Sequence, residues 1–320
     1  MNRADKPVVV FGGGGFLGRQ VAQELLSRGY RVRIAQRNPL SAVAIRSLGN
    51  MGQTQFVAAD ITKADQVRAA LTGAGAAINL VGLLRGPMQA AHVDGARNIA
   101  EAATALGIDA LVHVSAIGAD SASPSAYGRT KGEGEEAVSA AFPKATILRP
   151  SILFGQDDQF TNRFAQLIVT GSSMPVLRAV PVIRGQARFQ PAYVGDVARA
   201  IALAVEEPGR FGGQRYELGG PDIVSLDEIN RWIAEQIGRD VRFLPVPDGA
   251  AKALASVTGW APCAPITRDQ FQMLLGDTIV AKGAKGFAAF GIRPGPLAAF
   301  APAWLTQYRR KGRFGATARA

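Results

Sequence analysis

Along the first 150 residues, short runs of consecutive apolar positions alternate with longer stretches in which apolar residues return every three or four places. The runs are PVVVF, YRVRIA, TQFVAA, AAINLV, ALVHVS and ATILRP, and their length and β-branched content predict strands. Between them, Leu17, Val21, Leu25 and Leu26 mark one helical face, and Ile99, Ala102, Ala103 and Leu106 mark another. Strands that alternate with helical crossovers pair in parallel, because a right-handed crossover returns each strand beside its neighbour. The pattern predicts an α/β chain built on a doubly wound parallel sheet.

Beyond Pro150 the rhythm breaks. The stretch SILFGQDDQFTNRFAQLIVTGSSMPVLRAVPVIRGQARFQP has little regular alternation and reads as an excursion from the first lobe. AYVGDVARAIALAVEEPGRFGGQRYELGG then returns one helix and one strand to it. From PDIVSLDEINRWIAEQIG the chain builds a smaller mixed α/β lobe, with Ser225 as N-cap ahead of Asp227 and Glu228. The expected organisation is a sheet domain over 1–150, completed by about 191–220, and a smaller C-terminal lobe over 151–190 and 221–320.

A chain of 320 residues with 48% hydrophobic and 19% charged positions has globular values. The start, MNRADKPVVVF, is too short in apolar residues for a signal peptide, and no run approaches a bilayer span. Secretion is not expected. One cysteine, Cys263, cannot form an intramolecular disulfide, and His92 and His113 are the only histidines. No metal site is expected, and a reducing compartment fits best. The net charge of +11 concentrates late: after Asp277 there is no acidic residue, while Lys282, Lys285, Arg293, Arg309, Arg310, Lys311, Arg313 and Arg319 follow. Such a tail suits anionic lipid or an acidic protein face, and a solvated terminus fits as well. A nucleic-acid partner is not supported, since no helix-turn-helix, zinc spacing or aromatic RNA-binding string is present.

The segment VVVFGGGGFLGRQV places Gly12, Gly15 and Gly18 directly after the first strand and at the head of a helix. In that context the first glycine permits a tight turn, the second opens backbone N–H groups to a pyrophosphate, and the third lets the helix close on the strand. The helix N-terminus adds unpaired donors and a positive dipole end, with Phe16 and Leu17 in its first turn. At the end of the second strand, IAQRNP carries no carboxylate for a ribose 2′-hydroxyl. Arg37, with Arg19 beside the last glycine, suits a 2′-phosphate, so NADPH (NADP) is favoured over NAD(H); the plainer reading of Arg37 is a surface arginine. Asp60, with Ile61 next to it, ends the third strand, where the carboxylate either accepts from an adenine amino group or caps a helix. Asn79 and Gly82 end the fourth strand beside the nicotinamide half, and Pro150 ends the sixth.

Tyr127 and Lys131 stand four apart in AYGRTKGEGEE and share a helical face. A lysine so placed holds cofactor ribose and draws the phenol down from about 10 toward a working acid/base value. Ser115, closing ALVHVS, suits a substrate carbonyl. The histidines read as satisfied structural groups, and Gly128, Gly132 and Gly134 read as a weakness in the helix that carries Tyr127.

GGGGFLG, NLVG, YGRTK and YELGGPDIVSLDEI resemble the short-chain dehydrogenase/reductase superfamily in its extended or atypical branch. LRPSILFGQDDQFTNRFA, RFQPAYVGDVARAI, PITRDQFQMLLGDTIV and YRRKGRF are similar to the family of NAD(P)H-binding accessory subunits of respiratory complex I (NADH:ubiquinone oxidoreductase) and its bacterial relatives. That resemblance implies a Rossmann lobe holding NADPH tightly through Gly12, Gly15, Gly18, Arg19 and Arg37, with Lys131 on the ribose. It implies a structural role beside complex I subunits, peripheral to the bacterial inner membrane on its cytoplasmic face or to the mitochondrial inner membrane on the matrix side. Under that role the tail from Phe300 through Trp304 and Tyr308 to Arg313 meets headgroups or a partner subunit. The competing expectation is an active reductase, epimerase or dehydratase using Ser115, Tyr127 and Lys131.

Overall fold

The computed structural model describes residues 6–173, 178–258, 266–310 and 312. Cys263, Lys311, Arg313 and Arg319 lie outside the described residues. The chain divides into two compact units. One holds the chain up to Pro150 with Val194–Leu218 and Ala281–Arg293; the other holds Ser151–Tyr193, Gly219–Val280 and the stretch from Pro294 on.

The first unit alternates strands and helices as the apolar pattern requires: β1 (Val8–Phe11), α1 (Phe16–Ser27), β2 (Val32–Gln36), β3 (Thr54–Ala58), α2 (Ala64–Leu71), β4 (Ala76–Asn79), α3 (Gly95–Ala105), β5 (Ala110–Val114), α4 (Ala126–Ala141) and β6 (Thr146–Pro150). After the excursion, α5 (Val194–Glu206) and β7 (Arg215–Leu218) complete it. The seven strands run in the order β7-β6-β5-β4-β1-β2-β3, every pairing parallel. The order reverses between β1 and β4, which opens a crevice at the carboxyl ends of the strands. Both β1 and β5 are buried along their whole length, as strands covered by helices on two faces must be. On one face α1 packs with α5; on the other, α2, α3 and α4 pack side by side over Phe11, Ala77 and Leu111, with Ile99 of α3 in the same cluster.

The second unit contains the helices Thr161–Ser172 and Leu226–Gln236, joined by a parallel strand pair, Ala179–Ile183 with Arg242–Val246. The segment after Pro150 is therefore more regular than its composition suggests. Asp158 caps the first of these helices: its carboxylate accepts from the Gly155, Phe160 and Asn162 N–H groups and from the Thr161 hydroxyl at 2.7–3.1 Å. Ser225 is the expected N-cap of the second helix, and Glu228 closes a capping box with it.

One expectation of domain organisation needs correction. Ala281–Arg293 belongs to the sheet unit, so the later lobe does not run unbroken from 221, and the late basic residues are split. Lys282, Lys285 and Arg293 fall in the first unit, and Arg309 and Arg310 in the second. The tail aromatics are also engaged in their own unit. Phe300 stacks on Tyr193 (centroids 4.0 Å, planes 3° apart), Trp304 Nε1 donates to Thr161 Oγ1 (3.1 Å), and the Tyr308 hydroxyl donates to Asn162 Oδ1 (3.0 Å). Among the described residues no helix is long and apolar enough to cross a membrane.

Candidate functional site

Strand register brings the predicted residues of the first unit to one edge. Phe11 stands level with Ala35 and Asn79, Gln36 with Ala58, and Asn79 with His113. The glycine string, Arg37, Asp60, Gly82 and Ser115 therefore leave the sheet at its carboxyl ends, and Pro150 ends β6 there, its carbonyl accepting from the Ile117 N–H (3.1 Å).

Gly12 turns the chain out of β1 with φ +78°, a value that favours glycine. Gly18 allows α1 to close on the loop: a Cβ there would stand 2.4 Å from the Gly13 carbonyl oxygen and 2.5 Å from that of Gly12. The middle glycine does not offer its own N–H. The Gly15 N–H donates to the Gly12 carbonyl (3.1 Å), and the Gly14 N–H donates to the Gln36 side chain (2.8 Å). The donors left for an anion fall instead to Phe16 and Leu17, whose N–H groups meet no acceptor among the described residues. Gly15, as N-cap, brings no side chain to them. Gln36, which in turn donates to the Asn38 carbonyl and the Ser41 hydroxyl, thus braces the loop from the place where a ribose-binding carboxylate would stand. Its role was not legible from the sequence beyond its lack of charge.

Arg37 is exposed beyond β2, and Arg19 is half-buried on α1. The Asp60 carboxyl lies below the usual range, first because the Thr62 N–H (3.0 Å) and hydroxyl (2.8 Å) both donate to Oδ1, with Arg37 adding a smaller attraction. Asp60 therefore caps its own turn and shares the field of Arg37. The Ile61 side chain packs against Gly95 in the core, and its carbonyl accepts from Asn98; only its backbone borders the edge.

At the other end of the crevice, the Asn79 side chain accepts from the Val81 N–H (3.1 Å) and donates to His113 Nδ1 (3.2 Å). His113 consequently carries its proton on Nε2, which, like the Ser115 hydroxyl, is buried with no partner among the described residues. Lys131 reaches up from α4, its Nζ donating to the Val114 carbonyl (3.1 Å) and the Val81 carbonyl (3.5 Å). A Cβ on Gly82 would lie 3.4 Å from that nitrogen. Burial pulls the Lys131 ammonium down to about 8, against the attraction of Glu135 one turn on. Glu135 is itself buried and held by Arg149 (2.8 and 2.7 Å) and Arg215 (3.1 Å).

The Tyr127 phenol departs from expectation. Burial pushes it up to about 12, and the Lys131 ammonium is turned onto two main-chain carbonyls. The helix glycines are also not mere weak points: a Cβ on Gly132 would lie 2.3 Å from the Ser121 nitrogen, and one on Gly134 would lie 2.2 Å from the His92 carbonyl oxygen. They let α4 approach the neighbouring loops.

A nicotinamide dinucleotide fits these residues on the geometry itself. The loop is a cradle that side chains would fill, its helix end presents unanswered N–H groups, and a buried hydroxyl and a lysine stand at the far end. Among the described residues no group of three His, Cys, Asp or Glu side chains could hold a metal ion.

Comparison with known proteins agrees with this architecture. Residues 8–219 match the model of the NAD dependent epimerase/dehydratase family. The chain is 32% identical to the NADH dehydrogenase [ubiquinone] 1 alpha subcomplex subunit 9, mitochondrial, of Arabidopsis thaliana, over 96% of this chain and 79% of that one. It is 28% identical to the NADH-ubiquinone oxidoreductase 40 kDa subunit, mitochondrial, of Neurospora crassa, over 94% and 79%. It is 30% identical to a ceramide reductase of Caulobacter vibrioides, over 79% and 78%. Among solved structures, an NADPH-dependent quinone oxidoreductase from Escherichia coli complexed with NADPH superposes with a TM-score of 0.74 at 20% identity, over 93% of this chain and 99% of that one.

Proposed function

This chain belongs to the NAD dependent epimerase/dehydratase family, in the group that includes subunit 9 of the NADH dehydrogenase alpha subcomplex, and from that premise we propose that it is an NADPH-holding accessory subunit of respiratory complex I that does not turn its cofactor over. The glycine cradle and the first turn of α1 take the diphosphate; Arg37, with Arg19, selects the phosphorylated ribose; Lys131 meets the nicotinamide ribose. A ligand bound only to the native state stabilises the fold by mass action. The protein sits peripherally on the membrane-bound enzyme, on the cytoplasmic face of a bacterial inner membrane or the matrix side of a mitochondrial one.

One observation supports the non-catalytic half of this reading: the Lys131 ammonium, the group that would lower the Tyr127 phenol, donates instead to the Val114 and Val81 carbonyls, and burial pushes the phenol up to about 12. A general acid/base works best with a pKa near the operating pH, and Tyr127 is far from it. The expected result is that protein purified with NADPH shows no loss of cofactor absorbance when mixed with quinones, aldehydes or long-chain ketones, and that Tyr127→Phe behaves identically. Oxidation abolished by Tyr127→Phe overturns the proposal.

A second reading rests on a different observation. The Ser115 hydroxyl is buried with no partner among the described residues, one position beyond the Val114 carbonyl that Lys131 holds, the state of a group kept for a substrate carbonyl. Under this reading the chain is a reductase, with the bound cofactor supplying hydride and Tyr127 the proton. The same experiment separates the two.

A further inference from the structure

We propose that His92 is a positioning residue for the nicotinamide end of the crevice, an imidazole strut that fixes the loop after β4 and the Tyr127 turn of α4 in one arrangement. The proposal rests on the NADPH reading above and adds a residue to it. The Leu83 N–H donates to His92 Nε2 (2.8 Å), so Nε2 is the acceptor and Nδ1 carries the proton. That proton goes to Thr130 Oγ1 (2.8 Å), and the Thr130 hydroxyl goes on to the Ala126 carbonyl (2.8 Å). Every donor in the chain meets an acceptor, and only this tautomer allows it.

Three further contacts converge on the same residue. The ring meets Tyr127 edge-on, with centroids 5.6 Å apart and planes at 88°. His92 sits in a widened π-helical turn, Ala90–Asp94, at the head of α3, a geometry that is rare and recurs at functional sites. The bare Cα of Gly134 faces the His92 carbonyl, where a Cβ would lie 2.2 Å away, so α4 is cut back to receive the turn. Lys131 holds the same loop one step earlier, at the Val81 carbonyl. Lys131 and His92 thus bracket Gly82, the residue whose missing side chain leaves the ammonium open to a ribose. Burial keeps the imidazole neutral, pulled down to about 3, so the strut persists at every physiological pH.

The test compares two probes on wild type, His92→Leu and His92→Gln by calorimetry: NADPH, and adenosine 2′,5′-bisphosphate, which lacks the nicotinamide half. Glutamine offers one acceptor and one donor and replaces both hydrogen bonds. His92→Leu is expected to weaken NADPH about tenfold, to leave adenosine 2′,5′-bisphosphate unchanged and to reduce the fluorescence enhancement of bound NADPH. His92→Gln is expected to restore all three. Equal affinity of His92→Leu and wild type for NADPH overturns the proposal, and so does an equal loss for both probes, which marks a general support of the fold. If His92→Leu does not fold, Thr130→Val, which removes the next link, is held to the same two criteria. Failure of wild type to bind either probe sinks the cofactor reading itself.

Discussion

Under the proposed reading, cofactor choice turns on Arg37. A guanidinium recognises a 2′-phosphate through paired, charge-assisted hydrogen bonds, whereas a carboxylate at the end of β2 recognises a free 2′-hydroxyl. Arg37→Glu is therefore expected to weaken NADPH about tenfold or more while NADH affinity holds or rises; equal loss for both dinucleotides would remove Arg37 from the site. The two histidines give a second prediction. Burial holds His92 and His113 down to about 3, against 6.5 in an unfolded chain. Between these values the unfolded chain binds protons that the folded one refuses, so their contribution is complete above pH 6.5 and is lost as pH falls toward 3. Each adds a slope of about 1.4 kcal/mol per pH unit within that window. Urea midpoints measured from pH 7 to pH 4 are expected to fall less steeply in His113→Gln than in wild type, and unchanged steepness would refute the assignment. Spacing singles out Tyr127, Lys131 and the glycines as candidates because their signal lies within a few residues of sequence. The protonation states of Tyr127 and His92, and the brace from Gln36 to Gly14, depend on groups brought from other elements, and no local pattern encodes them.

At the scale of elements, α4 separates propensity from packing. Glycine in a helix costs roughly 1 kcal/mol against alanine, and on that basis Gly132→Ala should stabilise. The fold reverses the sign, because a Cβ would lie 2.3 Å from the Ser121 nitrogen and 2.4 Å from the Asp120 carbonyl carbon, both main-chain atoms with little room to yield. Gly132→Ala is expected to destabilise by about 1–3 kcal/mol, the range for overpacking, read as a lower thermal midpoint; a rise would show that the loop over α4 relaxes freely. The same division explains which elements were legible beforehand. The first six strands and α1 carry complete apolar signals of their own, and the Ser225 box is written in four consecutive residues. The two-residue strands of the second unit, such as Arg188–Phe189 with Val224–Ser225, have no period to read. The return of Ala281–Arg293 to the sheet unit rests on pairings with distant residues, such as the Glu217 N–H to the Lys285 carbonyl.

For the molecule as a whole, the net charge of +11 bears on the proposed docking at a membrane-bound enzyme. Amphipathic docking needs aromatic or aliphatic side chains to enter the headgroup boundary alongside the basic ones. The aromatics best placed in sequence for that, Phe300, Trp304 and Tyr308, are engaged with Tyr193, Thr161 and Asn162 in the second unit. Arg309 is drawn in as well, donating to the Gln236 carbonyl (3.0 Å). Contact of the described part of this segment with anionic headgroups then rests mainly on charge, at about 1 kcal/mol for each basic residue near the surface, and charge is screened within a Debye length. Vesicles of phosphatidylcholine with one third phosphatidylserine are expected to bind the protein at low salt and release it by about 0.5 M sodium chloride, with Trp304→Phe binding as wild type does. Binding that survives high salt and weakens in Trp304→Phe would mean that the second unit unpacks its aromatics at the bilayer. The hydrogen bond from Trp304 to Thr161, at the first residue of a capped helix, makes that opening costly, and this is why the electrostatic outcome is expected.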